Sequence, residues 1–378
     1  MKSALLIGLL ILAGCASQPA GTSSQANKSA SIATDKSQAT VSTLSIPRGI
    51  DYTTAPEKIA FGSCANQDQP EPIWKSIIET NPDLFLFMGD NIYATGPGQE
   101  NIAEQYRKLS QIPGYKEARE KIPFLATWDD GDMGTRDGGY DAPTKDAARR
   151  AFLDHWIYLR NSLPLNRDGL YHSKIMGGLV TGKRRKKING PAVHVIVLDT
   201  RSFRSPLNKV ADPENPEKQL IEPNIDPKAT MLGNDQWRWL EDQLEVPADV
   251  RIIVSSIQLI PTHHKYEKWS NFPKERDRFF QLLQKTKAKN VVIFSGDRHM
   301  ASIAKTEVKG WGTLYEVTSS SLNRPTLLPP EESKDYVAPS FQQENFGLAT
   351  LDLKKKNMLV ELKDINGKTV QSVDIKLR

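Results

Sequence analysis

The chain has 378 residues, and its 38% hydrophobic content is enough for one large core or two modest ones. Its 50 basic residues are interspersed with 45 acidic ones, which leaves a formal net charge of +5. A nucleic-acid-binding protein would instead cluster basic residues among aromatic ones. The composition therefore favours a mildly basic, solvated surface and argues against a nucleic-acid partner.

The first residues read as a targeting segment rather than as part of a fold. Lys2 supplies a positive charge, and residues 4–12 are apolar but too few to span a bilayer as a stable helix. Residues 12–15 (Leu-Ala-Gly-Cys) resemble a bacterial lipobox, which implies a signal peptide at 1–14 and lipidation of the Cys15 thiol. We therefore expect an exported, lipid-anchored protein, in the outer membrane if the cell has one, since Ala16 follows the cysteine. The alternative is a plain secretory signal with a chance cysteine.

Residues 15–50 are rich in Ser, Ala, Thr and Gln and nearly free of aromatic side chains. This composition predicts a flexible linker, followed by one folded domain at 56–378. Once Cys15 is lipidated, Cys64 has no second cysteine to pair with, so no intramolecular disulfide is expected. A free thiol in an oxidising compartment is stable when it is buried or held by a metal.

Short apolar runs that end abruptly predict the strands of a buried sheet. Such strands are predicted at residues 58–64, 84–88, 122–128, 193–198, 251–256 and 290–295. Helices are predicted at residues 73–78, 99–121 (in two pieces), 144–160, 234–244 and 275–283. Period-two alternation predicts further strands at residues 313–318, 347–353, 358–362 and 370–377. Strands separated by helices indicate an α/β domain.

Three other segments are predicted to lack regular structure. Residues 131–141 form a loop rich in Gly and Asp, and residues 205–229 form a long loop with five Pro. Residues 183–187 (Lys-Arg-Arg-Lys-Lys) are expected at the solvated tip of a hairpin, because Gly182 and Gly190 flank them. The alternative for this run is a contact with an anionic lipid or polymer.

Several predicted strands end in a residue with a metal-binding side chain. These residues are Cys64, Asp90, Asp130 and Asp297. Tyr93 lies three residues beyond Asp90, and His299 lies two residues beyond Asp297. Parallel strands would bring these side chains to one edge of the sheet, where so much negative charge requires cations. The pattern predicts a polynuclear metal site, although any single strand-end Asp is equally expected to cap a helix.

The residue types indicate which metals fit. Carboxylates alone favour Ca²⁺, Mg²⁺ or Mn²⁺, whereas the thiolate of Cys64 and the phenolate of Tyr93 indicate a stronger Lewis acid such as Fe³⁺. A carboxylate such as Asp90 can bridge neighbouring ions. Closely spaced metals stabilise the attacking and leaving oxygens of an in-line displacement, and phosphoester hydrolysis is the reaction that this arrangement serves best.

Six short motifs occur in the order seen in one enzyme family. They are Gly62-Ser63-Cys64, Gly89-Asp90-Asn91-Ile92-Tyr93, Trp128-Asp129-Asp130, Leu198-Asp199-Thr200-Arg201, Leu232-Gly233-Asn234-Asp235-Gln236-Trp237 and Ser295-Gly296-Asp297-Arg298-His299. This order resembles the alkaline phosphatase D (PhoD-like) family of metallophosphoesterases, from about residue 58 to the C-terminus. The resemblance implies a four-layer α/β sandwich of two mixed β-sheets flanked by helices. It also implies a calcium- and iron-dependent site in which a metal-activated water hydrolyses phosphomonoesters or diesters.

The resemblance further implies roles for single residues. The implied metal ligands are Cys64, Asp90, Tyr93, Asp129, Asp130, Asp297 and His299. Cys64 and Tyr93 resemble iron ligands, and Asp90 resembles the bridging carboxylate; the Asp-x-x-Tyr spacing is also similar to that of purple acid phosphatases. Catalytic roles fall to Asp130, Arg136 and His299, and substrate binding to Arg136, Arg298, His263 and His264. We expect a monomer that acts on a phosphate ester.

The chain departs from the family's third motif, which usually reads Trp-Asp-Asp-His-Asp with an Asn five residues after the His. Gly131 stands at the His position and Arg136 at the Asn position. The missing imidazole would serve as a general acid or substrate contact, so restoring His at Gly131 is expected to raise turnover if that imidazole limits the rate. Arg136 either binds phosphate oxygens directly or displaces one cation. The alternative function is therefore a scaffold that binds metals and phosphorylated ligands without efficient turnover.

Other polar residues have simpler interpretations. His263 and His264 follow the fifth strand and either replace the lost imidazole or form a solvated loop pair. Asp199 is expected to orient a neighbouring arginine rather than bind metal. His155 and His194 lie inside helix and strand patterns, which indicates structural roles.

Overall fold

The computed structural model describes residues 46–96, 100–178, 180–181, 186–187, 190–212 and 215–378. The predicted signal peptide, the lipidation site Cys15 and most of the predicted linker lie outside the described residues. Residues before the predicted domain start at 56 already contact the domain, since the backbone N–H of Arg48 donates to the Arg119 carbonyl. Among these residues, no helix is long and apolar enough to cross a bilayer.

Helices and strands follow the chain in the expected order. The helices are α1 (Ile73–Glu79), α2 (Ile102–Gln111), α3 (Pro113–Lys121), α4 (Asp130–Met133), α5 (Lys145–His155), α6 (Ile157–Arg160), α7 (Gly233–Leu244) and α8 (Pro273–Thr286). The strands of the first half are β1 (Lys58–Gly62), β2 (Leu84–Met88), β3 (Phe124–Thr127), β4 (His172–Gly177), β5 (Val180–Thr181), β6 (Lys186–Lys187) and β7 (Ala192–Val197). Those of the second half are β8 (Asn208–Asp212), β9 (Asn215–Glu222), β10 (Val250–Ser255), β11 (Val291–Ser295), β12 (Ala301–Val308), β13 (Gly312–Ser319), β14 (Asn345–Asp352), β15 (Asn357–Asp364) and β16 (Thr369–Lys376).

Most strands belong to two six-stranded mixed sheets. The first sheet has the order β16–β15–β14–β1–β2–β3, in which β1, β2 and β3 are parallel. The second has the order β12–β13–β11–β10–β7–β4, in which β13, β11, β10 and β7 are parallel. The carboxyl ends of parallel strands share one edge of a sheet, and loops that follow them form the usual position of ligand sites.

The two sheets pack face to face between two layers of helices. Ile59 and Phe61 of β1 belong to the apolar cluster between the sheets, while Ala60 belongs to the cluster formed with α1, α2, α3 and α5. A third cluster packs α7 and α8 against the second sheet. This alternation is the period of a strand buried on both faces. It confirms the expected α/β four-layer sandwich of two mixed sheets flanked by helices.

One aromatic pair joins the two sheets near the edge where the polar loops begin. The rings of Phe61 in β1 and Phe294 in β11 are stacked, with centroids 3.9 Å apart and planes inclined by 13°. Both residues are fully buried. Each ring stands three residues before a candidate metal ligand, Cys64 and Asp297 respectively.

Several segments differ from the sequence expectation. Strands β4 and β12 were not predicted. Both stand at the edges of the second sheet, and edge strands need less continuous apolar sequence than central strands. The loop expected at 205–229 contains the antiparallel hairpin β8–β9, and the loop expected at 131–141 begins as the short helix α4. The hairpin expected around 183–187 is present as the β5–β6 pair, but its tip at 182–185 lies outside the described residues.

Candidate active site

Four of the predicted ligands lie in loops at the carboxyl ends of parallel strands, and all four have left-handed backbone conformations. The φ angles are 61° at Cys64, 48° at Asp90, 68° at Asp297 and 54° at His299. Non-glycine residues rarely adopt such angles, which cost on the order of 1–3 kcal/mol each and cluster at functional sites. The surrounding fold therefore holds these side chains in fixed directions.

A first group of side chains combines sulfur, carboxylate and imidazole. One ligand atom each from Cys64, Asp90 and His299 lies within 4.8 Å of the others. Cys64 is buried, and its Sγ lies 3.5 Å from Oδ2 of Asp90. The phenol oxygen of Tyr93 lies 3.1 Å from Nε2 of His299. Thiol, phenol, imidazole and carboxylate thus lie close together at this edge of the sheets.

A second group consists of carboxylates alone. Ligand atoms of Asp90, Asp129 and Asp130 also lie within 4.8 Å of one another, so Asp90 belongs to both groups. Oδ2 of Asp129 is buried and has no hydrogen-bond partner in the described part of the chain. A buried carboxylate oxygen without a donor is costly unless a cation faces it. The donor set and this orphaned oxygen both fit a bound cation.

The electrostatics of the cluster point the same way. Burial raises the pKa of Asp90 well above its usual value, and the charges of Asp130 and Asp129 raise it further. Burial also raises the pKa of Asp129, to about 6. Asp297 lies outside both groups, but burial and the charges of Asp129 and Asp130 raise its pKa as well. Without cations these acids favour the protonated form, and cations would relieve that penalty.

The environment keeps His299 neutral. Burial and the positive charges of Arg324, Arg298 and Arg136 lower its pKa to about 3. A neutral imidazole is the form that binds metals. At neutral pH His299 therefore suits a ligand better than a proton donor.

A serine that no motif predicted links the two sides of the first group. Oγ of Ser320 accepts the backbone N–H of His299 at 2.8 Å and lies 3.2 Å from Sγ of Cys64. A hydroxyl can accept one hydrogen bond and donate another, so Ser320 can donate to the sulfur when Cys64 is a thiolate. Burial and Asp90 raise the pKa of Cys64, whereas the Ser320 hydroxyl lowers it. Ser320 thus supports the thiolate form that a metal requires.

Asp129 is anchored by a buried charge network. Its Oδ1 accepts from Nε of Arg201 and, at 2.8 Å, from the Ser256 hydroxyl. Arg201 also donates to Glu267 at 2.6 Å, and Glu267 pairs with Arg204 at 2.7 Å. No motif predicted Glu267 or Arg204, because a buried acid between two arginines has no sequence signature.

Asp199 orients this network, as expected. Its Oδ1 accepts the backbone N–H of Arg201 at 3.0 Å and the indole N–H of Trp128 at 2.8 Å. Asp132 has a similar structural role that the sequence did not reveal. It accepts the backbone N–H groups of Asn91 and Asp129 and therefore fixes the loops that carry the ligands.

The glycine at the family's histidine position is enclosed. The backbone N–H of Gly131 donates to Oδ1 of Asp90 at 2.9 Å. A Cβ at this position would lie 2.6 Å from that oxygen and 2.7 Å from the carbonyl oxygen of Ile92. This geometry argues against the expectation that His at 131 would raise turnover, because the side chain would collide with the shared carboxylate.

The predicted substrate-binding residues divide into two kinds of environment. Arg136 is exposed in the first part of the loop between α4 and α5. Arg298 is buried, pairs with Glu331 and stacks on the ring of Tyr266 at 4.3 Å.

The two neighbouring histidines also differ. Nε2 of His263 lies 3.6 Å from Oε2 of Glu331. His264 is buried with 7% exposure, so the expectation of a solvated pair is wrong for this residue. His155 and His194 lie in α5 and β7 and are members of neither ligand group in the described part of the chain.

Comparison with known proteins agrees with this geometry. A family model described as PhoD-like phosphatase matches residues 59–362. A search of curated protein sequences gives no match. Among solved structures, PhoD is 16% identical, with a TM-score of 0.61 over 87% of this chain and 70% of that one.

Two further solved structures share the fold. A purple acid phosphatase from yellow lupin (Lupinus luteus) seeds is 12% identical, with a TM-score of 0.57 over 86% of this chain and 55% of that one. An anchor protein of the inner membrane complex of Plasmodium is 11% identical, with a TM-score of 0.51 over 86% and 90%. The family match, which spans most of the chain, supports metal-dependent hydrolysis of phosphate esters in general. The chain belongs to the PhoD-like phosphatase family.

Proposed function

We propose that this protein hydrolyses phosphate esters at a polynuclear site, where Asp90 would help to hold two cations. The main support for this proposal is that Asp90 lies within ligand distance of both groups of side chains. A carboxylate has two oxygens and can bind one cation through each. Burial, followed by the charges of Asp130 and Asp129, raises the pKa of this side chain, and bound cations would relieve that penalty.

The donor types suggest one softer and one harder site. Cys64, Tyr93 and His299 would hold one cation with Asp90, and this set favours ferric iron. The carboxylates of Asp129 and Asp130 would hold a second cation, with Asp297 beside them, and oxygen ligands favour calcium. When bound, such cations would activate a water molecule and neutralise the charge of the phosphate.

The chain's own residues would orient the reaction. In hydrolysis a water oxygen forms a bond to phosphorus, the ester P–O bond breaks, and the departing alcohol takes up a proton from solvent. The network from Arg201 to Asp129 fixes one side of the site, and the Ser320 hydroxyl fixes the other. Arg136, exposed near the same edge, would bind phosphate oxygens.

The test is hydrolysis of a chromogenic phosphodiester and of its monoester by the purified protein loaded with iron and calcium. The Asp90→Asn variant is the control, because its amide cannot bridge two cations. Turnover that depends on metal and is lost in the variant would support the proposal. The ratio of the two rates would separate diesterase from monoesterase activity.

A second candidate function is binding of phosphorylated ligands without efficient turnover. The observation that favours it is the closed space at Gly131, where the family's usual imidazole has no room. Stoichiometric metal and tight phosphate binding without turnover of either ester would favour this candidate over the enzyme.

We also propose that the mature protein begins at Cys15 and is held at the outer membrane by its lipid. The lipobox-like residues 12–15 support this proposal. The test is incorporation of a labelled fatty acid and recovery in the membrane fraction, with Cys15→Ser as the control. Equal labelling of the two forms would exclude lipidation at this cysteine.

A further inference from the structure

The segment after β13 is tied to the site on both sides of an arginine that no motif predicted. The backbone N–H of Leu322 donates to the Ser63 carbonyl at 3.0 Å. The side-chain amide of Asn323 exchanges two hydrogen bonds with the backbone of Asn66, at 2.6 and 2.9 Å. Two residues after Arg324, the N–H of Thr326 donates to the carbonyl of His299 at 2.8 Å. The position of residue 324 is thus fixed relative to the loops that carry the first ligand group.

These anchors place the guanidinium of Arg324 against that group. Its Cζ lies 3.7 Å from the ring centroid of Tyr93, whose phenol oxygen contacts His299. The side chain of Arg324 is only half-buried, so one side of the guanidinium remains accessible to a ligand.

Arg324 differs from the buried arginines around the site. Arg201 pairs with Asp129 and Glu267, and Arg298 pairs with Glu331. Across the described ranges, no carboxylate forms a salt bridge with Arg324. A guanidinium presents several N–H donors in a planar fork that matches phosphate geometry. Arg324 contacts the ring of Tyr93 and donates a hydrogen bond to its phenol oxygen, and a guanidinium with five N–H groups keeps further donors for such a ligand.

We propose that Arg324 binds a non-reacting oxygen of the substrate phosphate and thereby favours doubly charged phosphate monoesters over singly charged diesters. This inference rests on the proposed function, because it places the phosphate of the substrate at the Cys64–Asp90–His299 group. The preference follows from charge: a monoester dianion interacts more strongly than a diester monoanion with a fixed cation in a partly desolvated site.

The experiment compares the full protein, loaded with iron and calcium, with Arg324→Gln and Arg324→Lys. We expect Arg324→Gln to lower kcat/KM for the monoester about 10- to 100-fold and to weaken inorganic phosphate binding by a similar factor, as for a lost hydrogen bond to a charged group. The loss for the diester should be clearly smaller. Arg324→Lys keeps the charge without the fork and should recover part of the monoester rate.

Arg167→Gln is the matched control, because Arg167 also stacks on a tyrosine, Tyr171 at 4.5 Å, but belongs to neither ligand group. Metal content and thermal unfolding are measured for every variant. If Arg324→Gln does not fold, Arg324→Met supplies the uncharged comparison, and a monoester-to-diester ratio equal to wild type in the uncharged variant would overturn the inference. Equal losses on both esters with unchanged phosphate affinity would also overturn it, and would leave Arg324 as a packing partner of Tyr93.

The outcomes separate this inference from the proposed function. If the wild-type protein hydrolyses neither ester, the proposed enzyme fails, and calorimetric titration with inorganic phosphate still tests Arg324. Weaker phosphate binding in Arg324→Gln than in wild type would then support the anion site. Equal binding would overturn it.

Discussion

The backbone N–H of Gly131 donates to Oδ1 of Asp90, the carboxylate common to both ligand groups. A methyl group at residue 131 would lie 2.6 Å from that oxygen. We therefore expect Gly131→Ala to displace Asp90, to lower metal occupancy and to reduce kcat/KM by at least about 10-fold, a barrier increase of about 1.4 kcal/mol. Gly131→His should be at least as damaging.

Metal analysis and steady-state kinetics check this prediction. Gly49→Ala is the control, since no atom lies within 4 Å of a Cβ at that position. A gain of activity in Gly131→His with full metal content would show that the loop opens to admit the ring.

Asp90→Asn should remove more than one equivalent of metal, because one side chain serves two groups. We expect activity to fall together with metal content, measured by elemental analysis of the dialysed protein. Asp83→Asn is the control, because Asp83 is exposed at the opposite, amino-terminal end of β2. Loss of only one equivalent would assign Asp90 to a single ion.

Arg201→Ala should strongly destabilise the fold, because it leaves the buried carboxylate of Asp129 without the guanidinium that pairs with it. Removing one partner of a buried ion pair costs about 3–5 kcal/mol, which is measurable by denaturant unfolding. Arg238→Ala is the control, since Arg238 pairs with Asp235 on the exposed surface of α7, where such a pair contributes less than about 1 kcal/mol. Equal losses in the two variants would mean that Asp129 is solvated or protonated in the folded protein.

The free energy of unfolding should depend on pH through Glu71, whose side chain is buried with 5% exposure. Burial raises its pKa to about 7, although the indole N–H of Trp74 opposes the shift. The folded state therefore holds a proton that the unfolded state releases above pH 4.5, the ordinary value for this group. This contribution is fully present below about pH 4.5 and is lost as the pH rises to about 7.

Glu71→Gln keeps the shape and removes the ionisation. Between pH 4.5 and 7, the unfolding free energy of the wild type should fall relative to that of the variant by up to about 1.4 kcal/mol per pH unit. Denaturant unfolding at several pH values measures this difference, and Glu79→Gln, an exposed acid in α1, is the control. A difference that stays constant over this range would show that Glu71 remains ionised when folded.

The central strands and the positions of the candidate ligands at their ends were predictable, because each strand is an apolar run that stops at a polar residue. Strands β1, β2 and β11 fall where the runs before Cys64, Asp90 and Asp297 indicate. The edge strand β12 was missed, because its outer half, with Lys305 exposed, lacks a continuous apolar pattern.

The surroundings of the ligands were less predictable. Ser320 and Arg324 reach the first group from a segment more than 200 residues away in sequence from Cys64 and Tyr93. Their roles depend on hydrogen bonds between loops rather than on any local spacing. The obstruction at Gly131 likewise depends on the path of Ile92 and Asp90, which no single-sequence pattern encodes.

The stack of Phe61 on Phe294 joins the two sheets directly beneath the candidate site. Phe61 precedes the ligands contributed by the first sheet, and Phe294 precedes those contributed by the second. The packing of these two buried hydrocarbon rings therefore contributes to the spacing between the candidate ligands of the two sheets. A change of ring volume at either position is expected to shift the candidate ligands of one sheet relative to those of the other. Such a substitution in the core would change cation affinity although every polar residue of the site remained in place.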